Sequence, residues 1–470
     1  MKDFLGYHSE WNLGSPGGWD YQRITQVIGK AVWEKVLEQC DPGVPLDFDH
    51  PLLYPINNFV DMLLDALRQR EGSAGGFVAV MAEEETLEDV VENINLAERL
   101  NSIDGVESAL MAPQELELRN GHVTYRGRRV SLIFMDFNTD TLLKLHRKHD
   151  LTPLVEAVKR NLVINPRGTE PINVKSVFEL ITGGERGRFT EETVRRTPWT
   201  RRFFPRKTEG PSGEKISDLV EWTRENWERL VLKPERGYSG IGVRVGGIHG
   251  DADEAVETAL REGGYIVQEK IPLSLWAEEM PEFDREEGRV HLKVFQTDFR
   301  CLMGPGGLHG FLVRYGGVPT NVGSGGGVQP LAILRGEIPV REAVKRLNDA
   351  VMNLPASLLE EIVAYQESLA LQHRFTYLLG PIKIALRPRL ITEEHVEALK
   401  RYVSSVWKDC ITLERMWEEG LLDDFVSLDP EEVEIARSQP WRGSHAVFAT
   451  DGLFSFGAHP EEWDGEESGP

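Results

Sequence analysis

The chain has 470 residues, of which 40% are hydrophobic and 27% charged, as in a globular protein of two or three packed units. Its formal net charge of -23 argues against a nucleic-acid or anionic-membrane partner, because phosphate groups would be repelled. The three cysteines lie far apart without a C-x-x-C motif, and neither a membrane-spanning run nor a signal peptide is present, so we expect a cytoplasmic protein without disulfides.

The first twenty residues contain an oxygen-rich pattern. Glu10 and Asn12 are two positions apart, so in a strand both side chains face the same side. The segment Ser15-Pro-Gly-Gly18 then predicts a sharp turn. A carboxylate and an amide oxygen on one face suit Mg²⁺, although a solvated strand edge followed by a turn is the commoner origin of such a short pattern.

Strands and helices alternate over the next 150 residues, which predicts an α/β unit with a mainly parallel sheet. Asp136 and Asn138 follow an apolar strand, where ligands of parallel sheets bind, and are candidate contacts for an acceptor substrate. Thr86 is the predicted N-cap of one of the helices. The predicted helices cover 20–41, 57–69 and 86–100, and the predicted strands cover 75–81, 131–135 and 162–165.

The next candidate is a lysine at the N-terminus of a predicted helix. Lys175 lies at the start of a predicted helix over 173–181, where an anion could bind, although a solvated lysine is the simpler interpretation. The arginine-rich segment 184–214 is predicted as a loop or lid, and a helix is predicted over 214–230.

Lys233 ends an apolar strand and precedes a glycine-rich loop. Glycines let backbone N–H groups approach a polyphosphate, and a lysine supplies the matching charge. An ordinary β-hairpin with a glycine-rich turn explains the same pattern equally well. The loop residues with candidate roles are Gly237, Tyr238, Ser239, Gly240 and Gly242.

The segment that follows supplies three further groups of candidate contacts with a nucleotide. The strand over 264–272 ends in Gln268, Glu269, Lys270 and Ile271, whose backbone could bind an adenine edge. Two predicted hairpin strands, 291–303 and 310–315, carry Arg300 and Arg314, and a second glycine cluster begins at Asn321. The two arginines, Asn321 and this second loop would position a γ-phosphate, or both glycine clusters are simple hairpin turns.

The last part of the chain carries no motif. The periodicity predicts two helices within 337–377 and a third over 393–407. The residues from 411 onwards are acidic, and the final segment is predicted to be disordered.

The order of these motifs resembles the circularly permuted ATP-grasp proteins related to glutathionylspermidine synthase. Glu10-Trp11-Asn12 with Ser15-Pro-Gly-Gly18 looks like the metal-binding E-x-N strand and its turn. Lys175 and Lys233 resemble the two nucleotide lysines, the loop 237–242 the phosphate flap, and 268–271 the adenine hinge. The E-x-N strand precedes the lysines here, whereas in unpermuted members it follows them.

The resemblance implies an architecture for the chain. It predicts an α/β (α+β) fold with a circularly permuted ATP-grasp region and a parallel-sheet, pre-ATP-grasp-like unit. Asp3 falls near the aspartate of the family's R-x-D motif and is a further candidate metal ligand, with Lys2 near the arginine. The predicted units are 1–70 with the metal-binding strand, 71–170 for the substrate, 171–410 for the nucleotide, and 411–470 as an acidic extension.

The resemblance also implies an activity. ATP and Mg²⁺ would serve an ATP-dependent carboxylate–amine ligase that forms an amide through an acyl-phosphate, with Arg300 and Arg314 catalytic. Its partners would be a small-molecule or peptide carboxylate and an amine. The alternatives are a nucleotide-binding protein without ligase activity, in a regulatory or structural role, and a phosphotransferase that stops at the phosphorylated product.

Overall fold

The computed structural model describes residues 4–73, 75–237, 240–318, 320, 322, 326–377 and 380–459. Within these ranges the chain is a mixed α/β protein with three main sheets: one parallel, one central and largely antiparallel, and one small and antiparallel. Among the helices of the described ranges, none combines the length and the apolar character needed to cross a membrane.

The parallel sheet confirms the prediction from alternating strands and helices. Its side chains alternate between two cores, with Val78 and Val80 on one face and Ala79 and Met81 on the other. The predicted helix from Thr86 begins later, because the Thr86 hydroxyl donates to the Glu83 carbonyl within a separate 3₁₀ turn. The strands, in spatial order, are Val106–Met111, Gly76–Met81, Leu132–Met135 and Val163–Ile164. The neighbouring helices are Pro55–Glu71, Val91–Asn101, Thr139–Lys148 and Thr152–Lys159, and a small antiparallel sheet contains Leu116–Arg119, His122–Tyr125 and Arg128–Arg129.

The central sheet joins both ends of the described chain. Its strands, in spatial order, are Phe4–Asn12, Phe448–Phe456, Arg289–Gly304, Gly307–Gly316, Gly327–Val328 and Lys383–Ile384, and Ala277–Asp284 also pairs with Arg289–Gly304. The helix Glu393–Glu418 packs on one face through residues such as Tyr402, and the helix Trp19–Leu37 packs on the other through Ile24 and Ile28. The predicted helix over 393–407 is therefore longer than its sequence pattern indicated.

The segment predicted as an acidic C-terminal extension supplies an interior strand of this sheet. Phe448–Phe456 lies between Phe4–Asn12 and Arg289–Gly304 and pairs antiparallel with both. Phe448, Phe454 and Phe456 are fully buried in the core under the long helix. Burial of these aromatic side chains, not the acidic average of the surrounding sequence, determines where the segment lies.

The small antiparallel sheet carries the glycine-rich loop. Its strands, in spatial order, are Thr200–Arg202, Tyr265–Glu269, Leu230–Pro234 and Arg244–Val245, with the helices Leu219–Glu225 and Ala252–Glu262 packed against it. The arginine-rich segment predicted as a loop or lid contributes the helix Glu191–Arg196 and one of these strands. The helix predicted over 214–230 is shorter, because Asp218 caps it by accepting from the Val220 and Glu221 N–H groups at 2.8 and 3.4 Å.

Several shorter elements complete the described chain. A three-stranded sheet contains Leu46–Asp47, Leu331–Leu334 and Arg389–Thr392. The remaining strand pairs are Thr208–Glu209 with Lys215–Ile216, and Thr376–Tyr377 with Gly380–Pro381. The remaining α-helices are Phe178–Thr182, Val340–Met352, Ala356–Gln372 and Pro430–Ser438.

Candidate active site

A cavity of about 560 Å³ is lined by residues of the central sheet, of the small antiparallel sheet and of segments that follow strands of the parallel sheet. It brings together segments that lie hundreds of positions apart in the sequence. The predicted residues that line it are Glu10, Asn12, Asp136, Asn138, Lys175, Lys233, Gly237, Gly240, Gln268, Glu269, Lys270, Ile271, Arg300 and Arg314. These nucleotide, metal and acceptor candidates therefore line one cavity.

Lys233 projects from the end of strand Leu230–Pro234 toward the first strand of the chain. Its Nζ donates to Gln268 Oε1 at 2.8 Å and to the Ser9 carbonyl at 3.3 Å. Burial lowers the pKa of Lys233 to about 8, with Glu10 opposing this and Lys175 adding to it. The ammonium group is thus held in place by the protein but lacks the counter-charge that would restore its usual pKa.

Lys175 approaches the same point from another element. It begins a 3₁₀ turn, Lys175–Val177, and not the longer helix predicted from the sequence. Its Nζ donates to the Gly237 carbonyl at 2.9 Å and lies 3.4 Å from Glu10 Oε2. Two lysines from different elements therefore approach the Glu10 region.

The glycines of the loop differ in their surroundings. Gly237 and Gly240 have φ values of 105° and 71° and line the cavity, so a side chain there would be strained. Gly242 is not among the lining residues, and a Cβ at this position would lie 2.8 Å from the Pro234 ring. A glycine is needed at position 242 because the loop passes close to the strand there.

The predicted hinge, Gln268–Ile271, lines the cavity. The Glu269 N–H donates to Trp199 O at 2.9 Å and the Lys270 N–H to Arg229 O at 2.8 Å. The Ile271 N–H, in contrast, donates to no group among the described residues. Gln268 is fully buried and orients Lys233, while the Lys270 ammonium donates to Gly246 O at 2.7 Å.

A β-bulge determines which way the first strand presents its side chains. The pairing with Phe448–Phe456 shifts register between His8 and Glu10. The extra residue places His8 and Trp11 together in the core, 5.4 Å apart between ring centroids, and leaves Glu10 and Asn12 lining the cavity. The two oxygen-bearing side chains share one face, as predicted.

Arg300 and Arg314 belong to a buried network with two aspartates. Arg300 donates through Nε and Nη2 to Asp451 at 2.6 and 2.7 Å, and through Nη1 to the Gly17 carbonyl at 2.9 Å. Arg314 donates to Asp298 at 2.9 Å and to Asp451 at 3.3 Å, and its Nη1 donates to no described residue. Asp451 lies directly opposite Glu10 in the neighbouring strand.

The two aspartates of this network differ in protonation behaviour. Burial alone would raise the pKa of Asp451, but Arg300 and Arg314 outweigh it and lower the pKa to about 2. The pKa of Asp298 is raised by burial and by the charge of Asp451, against the opposing effect of Arg314. Asp451 therefore stays ionised and fixes both guanidinium groups.

Polar residues that follow strands of the parallel sheet also line the cavity. Asp136 follows strand Leu132–Met135, accepts from Asn93 Nδ2 at 2.7 Å, and has its pKa raised to about 6 by burial. Asn138, Glu83 and Asp140 line the cavity as well. Asp136, Glu83 and Asp140 thus add carboxyl groups to the lining of the cavity.

Sequence reasoning missed two residues of the site. Asp451 lies in a strand that the acidic composition concealed. Glu92 lies in the first turn of a helix, where an acidic residue is ordinary, yet its side chain lines the cavity and contacts the Ser15–Gly18 turn. The candidates Asp3, Tyr238, Ser239 and Asn321 lie outside the described residues.

No family model and no curated protein matches the sequence. Among solved structures, the chain is similar to the macrocyclase MdnC bound with precursor peptide MdnA from Microcystis aeruginosa, at 11% identity over 62% of this chain and 84% of that chain, with a TM-score of 0.30. It is similar to a RimK domain protein ATP-grasp from Sphaerobacter thermophilus at 15% identity, covering 61% and 99%, with a TM-score of 0.28. It is also similar to a D-alanine–D-alanine ligase from Bacillus anthracis at 11% identity, over 73% of this chain and 99% of that chain, with a TM-score of 0.27. TM-scores at this level do not establish a shared fold. The functional proposal therefore rests on the geometry of the site.

Proposed function

We propose that the protein is an ATP-dependent carboxylate–amine ligase that forms an amide through an acyl-phosphate and releases ADP and phosphate. The observation that carries this proposal is the convergence of Lys175, Lys233 and Arg314 near Glu10, in a cavity that also contains the hinge 268–271. Cations around one carboxylate, beside open backbone, suit a nucleotide whose phosphates bring their own negative charge.

The adenine would lie against the hinge. The Ile271 N–H lacks a partner among the described residues, and an adenine ring nitrogen could accept from it. The neighbouring amides of Glu269 and Lys270 already donate to protein carbonyls, which fixes the backbone around that single open donor. The Ile271 side chain is buried at the cavity wall and offers an apolar surface to the base.

The phosphates would lie between the lysines and the arginines. Lys233 has a lowered pKa because burial leaves its charge poorly compensated, and phosphate oxygens would supply the compensation. Arg314 retains an Nη1 group with no partner among the described residues, which could bind the transferred phosphoryl group. The loop at Gly237 and Gly240 would cover the phosphates and exclude water.

Glu10 and Asn12 fit a Mg²⁺ ion shared with those phosphates. One carboxylate and one amide oxygen are hard oxygen ligands, and Mg²⁺ is usually bound by one or two protein groups together with phosphate oxygens and water. Glu10 is one-third exposed, so its carboxylate is open to the cavity. When bound, the ion would neutralise charge that develops on the transferring phosphoryl group.

The chemistry requires no protein nucleophile. A carboxylate oxygen of the substrate bonds to the γ-phosphorus while the bond to the β,γ-bridging oxygen breaks, and ADP leaves. The amine nitrogen then attacks the acyl carbon, phosphate leaves, and the amine gives up a proton. Asp136, with its pKa raised to about 6, lines the cavity and is suited to take that proton, and Asn138 would orient the substrate there.

We also propose the permuted ATP-grasp arrangement for this chain. The strand that carries Glu10 pairs with Phe448–Phe456, which in turn pairs with the strand that carries Arg300. The proposed units are 71–170 for the acceptor and 171–410 for the nucleotide. In this proposal the strands near the two ends of the chain, within 1–70 and 411–470, add to the nucleotide unit.

The test is ADP release against a panel of carboxylates, including short peptides, each with and without amines. We expect release to require a carboxylate and an amide to form only when an amine is added. Release that yields a stable phosphorylated product with no effect of amines would indicate a phosphotransferase. Nucleotide binding with no ADP release for any combination of carboxylate and amine would indicate a nucleotide-binding protein without ligase activity.

A further inference from the structure

A buried carboxylate from the parallel-sheet unit holds the turn that follows the Glu10 strand. Glu92 is 4% exposed. Its Oε1 accepts from the Gly18 N–H at 3.0 Å, and its Oε2 accepts from the N–H groups of Gly18, Asp20 and Tyr21 at 3.1, 3.2 and 3.4 Å. One side chain therefore satisfies the first free amides of the helix Trp19–Leu37, whose own N-cap has no side chain.

The turn is shaped to receive this carboxylate. A Cβ at Gly17 would lie 2.7 Å from Glu92 Oε1, so a side chain there would displace the carboxylate. Gly18 has a φ of 108°, and a Cβ there would lie 2.5 Å from a methyl carbon of Leu312. Ser15 Oγ also donates to the Met135 carbonyl at 2.9 Å, which ties the turn to the end of a parallel strand.

The same turn contacts the arginine network. The Gly17 carbonyl accepts from Arg300 Nη1 at 2.9 Å, on the residue next to the amide that Glu92 holds. The other two donor groups of Arg300 bind Asp451. The Gly17 carbonyl thus couples the position of the turn to the position of the Arg300 guanidinium.

We propose that Glu92 is a positioning residue for phosphoryl transfer, which fixes the Ser15–Gly18 turn and through Gly17 sets the place of the Arg300 guanidinium. The inference rests on the proposed function, in which the phosphates lie between the lysines and the arginines. It gives the parallel-sheet unit a direct influence on the phosphate end of the cavity. Glu92 touches neither the hinge nor the lysines, so it should affect turnover and not nucleotide affinity.

The experiment compares Glu92→Gln with Glu98→Gln, the same change at an exposed position of the same helix. The glutamine keeps the shape but presents an NH₂ group to backbone donors. We expect ADP release by Glu92→Gln to fall by about 10- to 100-fold, as for a small misplacement of a reacting group, with unchanged affinity for a non-hydrolysable ATP analogue. Glu98→Gln should match the parent protein.

A double-mutant cycle separates positioning from a general loss of stability. If Glu92 acts through Arg300, Glu92→Gln combined with Arg300→Lys should be no slower than Arg300→Lys alone. Independent, multiplicative losses would overturn the inference. Gly17→Ala provides a second route if Glu92→Gln does not fold, because its methyl group disturbs the same contact and should give the same kinetic pattern.

The outcomes distinguish the two levels of the proposal. If the parent protein releases no ADP with any carboxylate, the proposed function fails and the role of Glu92 fails with it. If the parent protein turns over and Glu92→Gln turns over equally fast, only the role of Glu92 is refuted. Equal losses of analogue affinity and turnover would also refute it, because they would indicate a general disturbance of the cavity.

Discussion

Replacing Lys233 tests whether the cavity is built for a polyphosphate. Burial lowers the pKa of this lysine from 10.5 to about 8. This shift corresponds to a free-energy cost of at most about 3 kcal/mol for keeping the side chain charged in the folded protein. Because the side chain is only partly buried, solvent screening reduces this to about 2 kcal/mol. A bound phosphate would relieve that cost, so Lys233→Met should weaken binding of an ATP analogue by about 1.5–3 kcal/mol, or roughly 10- to 100-fold.

The affinity for the ATP analogue should also change with pH in a definite direction. In the free protein Lys233 loses its proton above about pH 8, whereas bound phosphate would return its pKa toward the usual value. The complex then holds more protons than the free protein, so affinity should fall as the pH rises above 8, by at most about tenfold per unit. Lys233→Met should lack this dependence.

Calorimetric titration between pH 7 and 9.5, in buffers of different ionisation enthalpy, measures both the affinity and the number of protons taken up. Lys215→Met, at an exposed lysine of a nearby short strand, is the matched control and should behave like the parent protein. Equal affinity in Lys233→Met and the parent protein would remove Lys233 from the site. A parent affinity that does not change with pH would refute the reasoning from burial.

Three further changes test other parts of the cavity. Glu10→Gln should abolish ADP release while the analogue still binds, and full turnover in a steady-state assay would exclude Glu10 as a metal ligand. Arg314→Lys keeps the charge but loses the planar fork, so kcat should fall more than analogue affinity, and unchanged kcat would make the arginine structural. Asp451→Asn leaves two buried guanidinium groups under-compensated and should lower the unfolding free energy by about 3–5 kcal/mol in urea titrations. Parent-like stability would show that the network contributes little.

The elements that local patterns determine were predicted well. Apolar runs such as Phe77–Met81 alternate with amphipathic helices, and the parallel sheet follows from that alternation. The spacing of Glu10 and Asn12 placed both on one face, although through a bulge at Ser9 that the sequence did not reveal. A bulge depends on the pairing partner, which single-strand periodicity does not contain.

The contacts that depend on distant partners were not predicted. Asp451 faces Glu10 and Arg300 only because the strand Phe448–Phe456 inserts between theirs, more than 440 positions after the first. Glu92 resembles an ordinary acidic residue in the first turn of its own helix, but it binds amides at the start of another helix. Tertiary packing alone shows where such side chains act.

The most direct test of the central claim follows oxygen atoms. With the carboxylate and amine that give the fastest ADP release, the carboxylate is labelled with ¹⁸O and the products are analysed by mass spectrometry. Attack of the carboxylate on the γ-phosphorus predicts one ¹⁸O atom in each inorganic phosphate released with the amide. Unlabelled phosphate, or AMP and pyrophosphate in place of ADP and phosphate, would contradict the acyl-phosphate route.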